Sequence, residues 1–582
     1  MENKQEERLE VKRIQVKKMR HKRRSSKTKF HNAHAKPIHN VHALENVQNS
    51  NNTATLENAP AMENAPALEN APALENAPAL ENAPVLEKAT AKVVKEVEVV
   101  EVKNKKSVLF VASEGLPFIK TGGLADVIGS LPKELAKRGN YDVSVIMPLY
   151  SKIDSGIRAN FKFEGNFNVS LAWRNQYCGL FSCRLDGVTF YFIDNEYYFK
   201  RDAIYGCYDD GERFAFFSKA VLDSLGYLDF YPDVINCNDW QSAAVVIYLK
   251  TLYGQLYGFD HIKTLFTIHN IEYQGKYSMD TASDLFGFPE WEKDVVEYDG
   301  CLNLMKGAIE LSDAVSTVSP TYAGEIKDAF FAHGLEKVIL KNENKLCGIL
   351  NGLDLDLYDP TTDSALFKNY SSEDLSGKKE CKSELQRMLG LPQRDVPVIA
   401  LISRLVSHKG LDLVKAVLDE LLYEDVQFVV LGKGDTDYEN YFKYMEGRYN
   451  GKCKALIAFN KDMASKIYSG ADIFLMPSKQ EPCGLSQMIA CRYGTVPVVR
   501  RTGGLADSIT PFNDNREKGN GFAFTNYNAH EMLYVIKDAI YTYGNKTVWE
   551  KLVQSAINSD FSWEKSSTSY ETLYDALTGD KR

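Results

Sequence analysis

From about Ser107 onward the chain alternates short apolar runs with amphipathic stretches, and each apolar run ends in glycine or polar residues. SVLFVAS (107–113) is almost continuously apolar, the pattern of a strand buried on both faces of a parallel sheet. A loop with two adjacent glycines and a helical pattern follow (EGLPFIKTGGLADVIGSLPKELAKRG), and then a second strand, YDVSVIMP (141–148). PDVINCNDW (232–240) and KTLFTIHNIEYQGKY (263–277) each close an apolar run with polar residues. DGCLNLMKGAIELSDAVSTVSPTYAGEI (299–326) reads as a helix, a strand and the start of another helix. The rhythm resumes at Val398, with a strand at 398–403, a polar turn and a helix, and then strands within 427–435, 453–460, 473–477 and 495–499. Between the last two, Leu485, Met488, Ile489 and Arg492 fall at helical spacing. Strands and helices alternating through both halves predict an α/β protein of two doubly wound, Rossmann-like domains facing each other across a cleft.

Length agrees, since 582 residues exceed one ordinary core. The expected division is a tail at 1–105, a first domain at 106–360, a second at 361–560, and a closing segment at 561–582. Residues 1–30 carry 12 Lys/Arg against 4 Asp/Glu, and from Thr55 a six-residue repeat runs TLENAP, AMENAP, ALENAP, ALENAP, ALENAP, VLEKAT. A proline every sixth residue stops a helix from growing, so the tail reads as a disordered spacer. Its early glutamates and lack of an apolar core argue against a transit or signal peptide. The overall charge of −9 excludes a basic nucleic-acid footprint, and no apolar run is long enough for a membrane span. Ten cysteines without a C-x-x-C pair signal neither a zinc site nor a disulfide framework, and suit a reducing cytoplasm.

Chemistry belongs at the carboxyl ends of the strands, where doubly wound sheets bind ligands. Asp239 and His269 stand there in the first half, as candidates to hold a sugar or as structural hydrogen bonders. In the second half, Arg404 and Lys409 flank a turn after a strand, either as surface charges or as cations holding a diphosphate. A loop at 478–481 carries one carboxylate, Glu481, and leads to a helix start that favours an anion. The hexapeptide TGGLAD occurs at 121–126 and again at 502–507, each copy directly after a basic residue, Lys120 or Arg501. Glycine there permits close approach to a phosphate, or only a tight turn.

EPCGLSQ followed by YGTVPVVRRTGGLAD, together with KTGGLADV, TIHNIEYQG and SRLVSHKG, resembles the bacterial glycogen synthase and plant starch synthase family over about 107–577. The resemblance implies a GT-B fold of glycosyltransferase family 5, with a closing helix at 561–582 that crosses back to the first domain. It implies retaining transfer of glucose from ADP-glucose to the non-reducing end of an α-1,4-glucan, with ADP preferred over UDP. On the same ground Lys120 serves the nucleotide sugar, Gly122 and Gly123 act as backbone donors, and His269 contacts the transferred glucose. Asp239 is kept, although the family usually has histidine where this chain has Asn238. Asn351 faces the cleft, Arg404 and Lys409 hold the diphosphate, and Glu481 orients glucose and stabilises positive character at its ring. Asp126, Gly484, Leu485, Ser486, Gly503 and Gly504 complete the substrate set. Phe459 stands where the family often has a base-stacking tyrosine, and Ser486 where it often has threonine. Asn303 and Lys306 also match plant relatives. The family's reaction needs no metal and no cofactor, and the diphosphate itself takes the acceptor's proton. A phosphorylase would need a pyridoxal-phosphate lysine motif that is not found, and the KTGGL loop disfavours a sucrose or trehalose synthase. Retention of Lys120, His269, Arg404, Lys409 and Glu481 together disfavours an inactive glucan-binding scaffold.

Overall fold

A computed structural model describes residues 105–579, so the basic start and the six-residue repeat lie outside the described residues. The first sheet is built from β1 (Lys106–Val111), β2 (Tyr141–Pro148), β3 (Lys162–Leu171), β4 (Arg174–Leu185), β5 (Val188–Asp194), β6 (Val234–Asn238) and β7 (Lys263–Ile268). A small antiparallel sheet of β8 (Lys276–Tyr277), β9 (Glu297–Tyr298) and β10 (Cys301–Asn303) interrupts the sequence before β11 (Ala314–Thr317) and β12 (Leu346–Gly348) rejoin the first sheet. Its order is β12-β11-β7-β6-β1-β2-β5-β4-β3. From β12 to β5 every pairing is parallel, and Val108 to Val111 have no exposed surface.

The edge of this sheet departs from the expected parallel pattern, because β3 and β4 form an antiparallel hairpin on β5. KFEGNFNVSL alternates instead of running apolar, as a strand with one solvated face does, and so presents no continuous apolar signal.

The second sheet holds β13 (Val398–Ile402), β14 (Gln427–Leu431), β15 (Cys453–Leu456), β16 (Ile473–Met476), β17 (Val496–Arg500) and β18 (Phe522–Phe524). All of its pairings are parallel, in the order β15-β14-β13-β16-β17-β18. In each sheet the chain fills one side of its first strand and then the other, outward from β13 in the second sheet, while in the first β3 takes the far edge and β4 and β5 return inward to β2. The strand order therefore reverses between β1 and β6, and again between β13 and β16, and at each reversal the loops diverge and leave a crevice.

The helices that matter for the site are α1 (Gly123–Arg138), α2 (Trp240–Tyr248), α3 (Leu304–Leu311), α4 (Pro320–Glu325), α5 (Leu411–Leu421), α6 (Ser486–Arg492), α7 (Gly503–Ser508) and α8 (Trp563–Thr578). α1 ends at Gly139, whose φ of +75° lets its N–H turn back onto the Leu135 and Ala136 carbonyls. α8 closes the molecule against the first sheet. The Tyr574 hydroxyl accepts from Asn236 Nδ2 at 3.0 Å, and Arg138 pairs with Glu571 at 3.0 Å. One apolar core runs from the first sheet through Tyr570 and Tyr574 to Phe474 and Met488, so the two lobes share buried surface. A second core fills the other face of the second sheet under α5.

Candidate active site

β13 and β16 are neighbours, so the loops that follow them meet. Gly410 permits the contact, since a Cβ there would lie 1.9 Å from the Pro477 carbonyl oxygen, and its φ is +72°. The Lys479 N–H donates to the His408 carbonyl at 2.9 Å. Lys409 Nζ therefore reaches both oxygens of Glu481, at 3.0 and 2.7 Å, and Ser478 Oγ donates to Oε2 at 2.8 Å. Glu481 is 7 % exposed, so the ammonium and the hydroxyl replace the water that burial removes. Arg404 is exposed and has no acidic partner among the described residues. Burial, reinforced by Lys409 and Arg404, holds His408 below its ordinary pKa, which marks the loop as electropositive.

Around Glu481, Gly484 has φ +75° and leads into α6; Leu485 packs on the core, and Ser486 reaches the Tyr468 hydroxyl. Phe459 lies on the loop after β15 and is 91 % exposed. Asn351 is buried, and its Oδ1 has no hydrogen-bond partner among the described residues.

The crevice of the first sheet holds the other cluster. Asp239 takes φ +57°, a conformation that costs a non-glycine residue strain, and Oδ1 accepts from the N–H groups of His269 at 2.7 Å and Asn270 at 3.3 Å. Burial pushes the carboxyl up to about 7 against those two donors. His269 Nε2 lies 2.9 Å from Asn238 Oδ1, while Asn238 Nδ2 donates to the Val111 and Asn236 carbonyls. That network assigns the proton to Nε2 and leaves Nδ1 as an acceptor. The ring keeps some open surface, yet desolvation lowers its pKa to about 3, so it is neutral in ordinary buffers.

Lys120 pairs with Asp126 at 2.6 Å, and burial raises Asp126 while Lys120 pulls it back. The buried Glu114, which sequence reading passes over, takes the N–H of Thr121, the Thr121 hydroxyl at 2.8 Å and the N–H of Gly122 at 3.3 Å. The Gly122 N–H expected for a ligand is thus given to Glu114, and Gly123 opens α1. In the second copy the Gly503 N–H goes to Glu325, also missed, and that of Gly504 to the Glu481 and Pro482 carbonyls. Asn303 caps α3 and bonds Gln274, and Lys306 holds the Asp294 and Val295 carbonyls, so both act in packing. One grouping among the described residues, Cys207, Asp209 and Asp210, has metal-type donors. Arg201 and Arg213 already engage its carboxylates at 2.7 and 2.5 Å, which leaves little charge to offset a cation. No helix among the described residues is long and apolar enough to cross a membrane.

The profile described as starch synthase catalytic domain matches residues 107–341, and that described as glycosyl transferases group 1 matches 385–547. The glycogen synthase of Bacillus cereus is 48 % identical over 474 residues, covering 81 % of this chain and 99 % of that protein. The glycogen synthase of Clostridium acetobutylicum is 51 % identical over 473 residues, covering 80 % and 99 %. Among solved structures, the catalytic domain of starch synthase IV from Arabidopsis thaliana bound to ADP and acarbose is similar. It shows a TM-score of 0.75 and 32 % identity, over 82 % of this chain and all of that one. Sucrose-phosphate synthase from Thermosynechococcus elongatus, at TM-score 0.53 and 16 % identity, shares the fold.

Proposed function

The chain belongs to the glycogen synthase and starch synthase family, and from that premise we propose that it elongates an α-1,4-glucan from ADP-glucose, with retention at the anomeric carbon. It is a glucosyltransferase of GT-B fold. The observation that carries the finer reading is the Lys409, Glu481 and Ser478 cluster at the strand reversal of the second sheet, where a nucleotide sugar would be held.

In the reaction, the bond from the anomeric carbon to the diphosphate oxygen breaks. A bond to the 4-hydroxyl oxygen of the terminal acceptor glucose forms on the same face, and the hydroxyl proton passes to the departing diphosphate. Arg404, Lys409 and Lys120 offset the charge that builds there, so strong acid catalysis is unnecessary. Glu481 stabilises positive character at the ring and orients the sugar. His269, neutral and protonated on Nε2, offers Nδ1 to a sugar hydroxyl, and Asp239 has its second oxygen available for another. The ten free cysteines suit a reducing cytoplasm.

The test is incorporation of glucose into a glycogen primer from ADP-glucose and from UDP-glucose in parallel. ADP-glucose is expected to support elongation and UDP-glucose far less. Preference for UDP-glucose, or no elongation from either donor, would overturn the reading.

A further inference from the structure

α4 belongs to the first lobe and α7 to the second, and each carries an acid that caps the start of the other. The carboxylate of Asp507, in α7, accepts the Thr321 N–H at 2.8 Å and the Thr321 hydroxyl at 2.7 Å. The carboxylate of Glu325, at the end of α4, accepts the Thr502 hydroxyl at 2.8 Å and the Gly503 N–H at 3.1 Å. An anion at a helix start satisfies unpaired N–H groups and meets the favourable end of the dipole.

This joint reaches the backbone of the candidate reaction centre. The Gly504 N–H, one residue beyond the Glu325 contact, donates to the Glu481 carbonyl at 3.2 Å and the Pro482 carbonyl at 3.1 Å. Ser319 Oγ accepts from the Tyr322 N–H to cap α4 and also donates across the lobes to the Pro482 carbonyl at 2.6 Å. There is no slack, since a Cβ on Gly503 would lie 2.0 Å from the Glu481 carbonyl oxygen, and one on Gly504 2.2 Å from that of Cys483. A shift of α4 relative to the second lobe must therefore move the 481–483 backbone. The contact touches neither Arg404 nor Lys409.

The two TGGLAD copies sharpen the point. In the first, the capping carboxylate is Glu114, seven residues upstream in the same lobe. In the second it comes from the other lobe, so the second loop is completed only when the lobes meet.

We propose that Glu325 is a positioning residue that sets the Glu481 carboxylate through Gly503 and Gly504, and so couples apposition of the lobes to catalysis. The proposal rests on the role given to Glu481 above. It is tested with Glu325→Gln, Glu481→Gln and the double variant of the full chain, measuring kcat and KM for ADP-glucose separately. Glu325→Gln should lower kcat about tenfold and leave KM within about twofold, while in the Glu481→Gln background it should add less than about twofold, because the two act as one unit. Asp507→Asn, the reciprocal cap, should show the same pattern and supplies the test if Glu325→Gln does not fold. An unchanged kcat in Glu325→Gln and Asp507→Asn, or an equal loss from Glu325→Gln in both backgrounds, would overturn the proposal while leaving the reading of Glu481 intact. Full activity of Glu481→Gln alone would overturn both.

Discussion

Asp239 and His269 share a hydrogen bond, and burial pushes their pKa values in opposite directions, because it disfavours the ionised form of each. The imidazole falls from its ordinary 6.5 to about 3, so the stability it contributes is present above pH 6.5 and lost as pH falls toward 3, while the unfolded chain takes up a proton. The carboxyl rises from 3.8 to about 7, so its contribution is present below pH 3.8 and lost as pH rises through 7. Between pH 4 and 6.5 the two therefore oppose each other. Urea midpoints across this range should fall less steeply with acid for His269→Asn than for the parent, and more steeply for Asp239→Asn; parallel profiles would contradict the assignment. Both residues were legible in the sequence because each directly follows a buried strand, as Glu481 and Lys409 stand on loops that follow one. Glu114 and Glu325 were not, since a lone glutamate in a loop or at a helix end carries no spacing signal. Its partners, 8 and 178 residues away, are known only once the chain is folded.

At the scale of elements, the repeated TGGLAD was visible in the sequence, but its physical cause was not. Both copies are helix starts sealed by a carboxylate, the buried Glu114 in the first and the half-buried Glu325 in the second, and the N–H groups of Gly122 and Gly503 are spent on that cap. The parallel strands were readable because central strands run apolar throughout, whereas the β3–β4 hairpin hid behind its alternation. The return of α8 was expected from resemblance, and the structure adds what holds it: Tyr570 and Tyr574 are fully buried, and Asn236 donates to the Tyr574 hydroxyl. Tyr574→Ala removes a large buried ring and takes the acceptor from Asn236 Nδ2, so it should cost roughly 3 to 5 kcal/mol in denaturant unfolding. A cost under about 1 kcal/mol would mean that α8 adds little to the fold.

For the whole molecule, the proposed site lies where two sheets each reverse their strand order, one bringing Asp239 and His269 and the other Lys409 and Glu481. The relatives align over 473 to 474 residues, nearly their whole length, and the family profile begins at residue 107. A chain starting at residue 105 should accordingly keep transfer activity within about twofold of the parent, since both crevices and α8 lie beyond that point. A large loss on truncation would give residues 1–104 a part in the reaction. The central claim is that the Lys409–Glu481 pair is the reaction centre, and single-turnover glucose transfer from bound ADP-glucose to a glucan primer by Glu481→Gln tests it most directly. The variant should bind ADP as the parent does and unfold at a similar temperature, yet transfer glucose about 100 to 1,000 times more slowly, as when a preorganised charge-stabilising group is lost. Transfer at the parent's rate by a folded, ADP-binding variant would contradict the account.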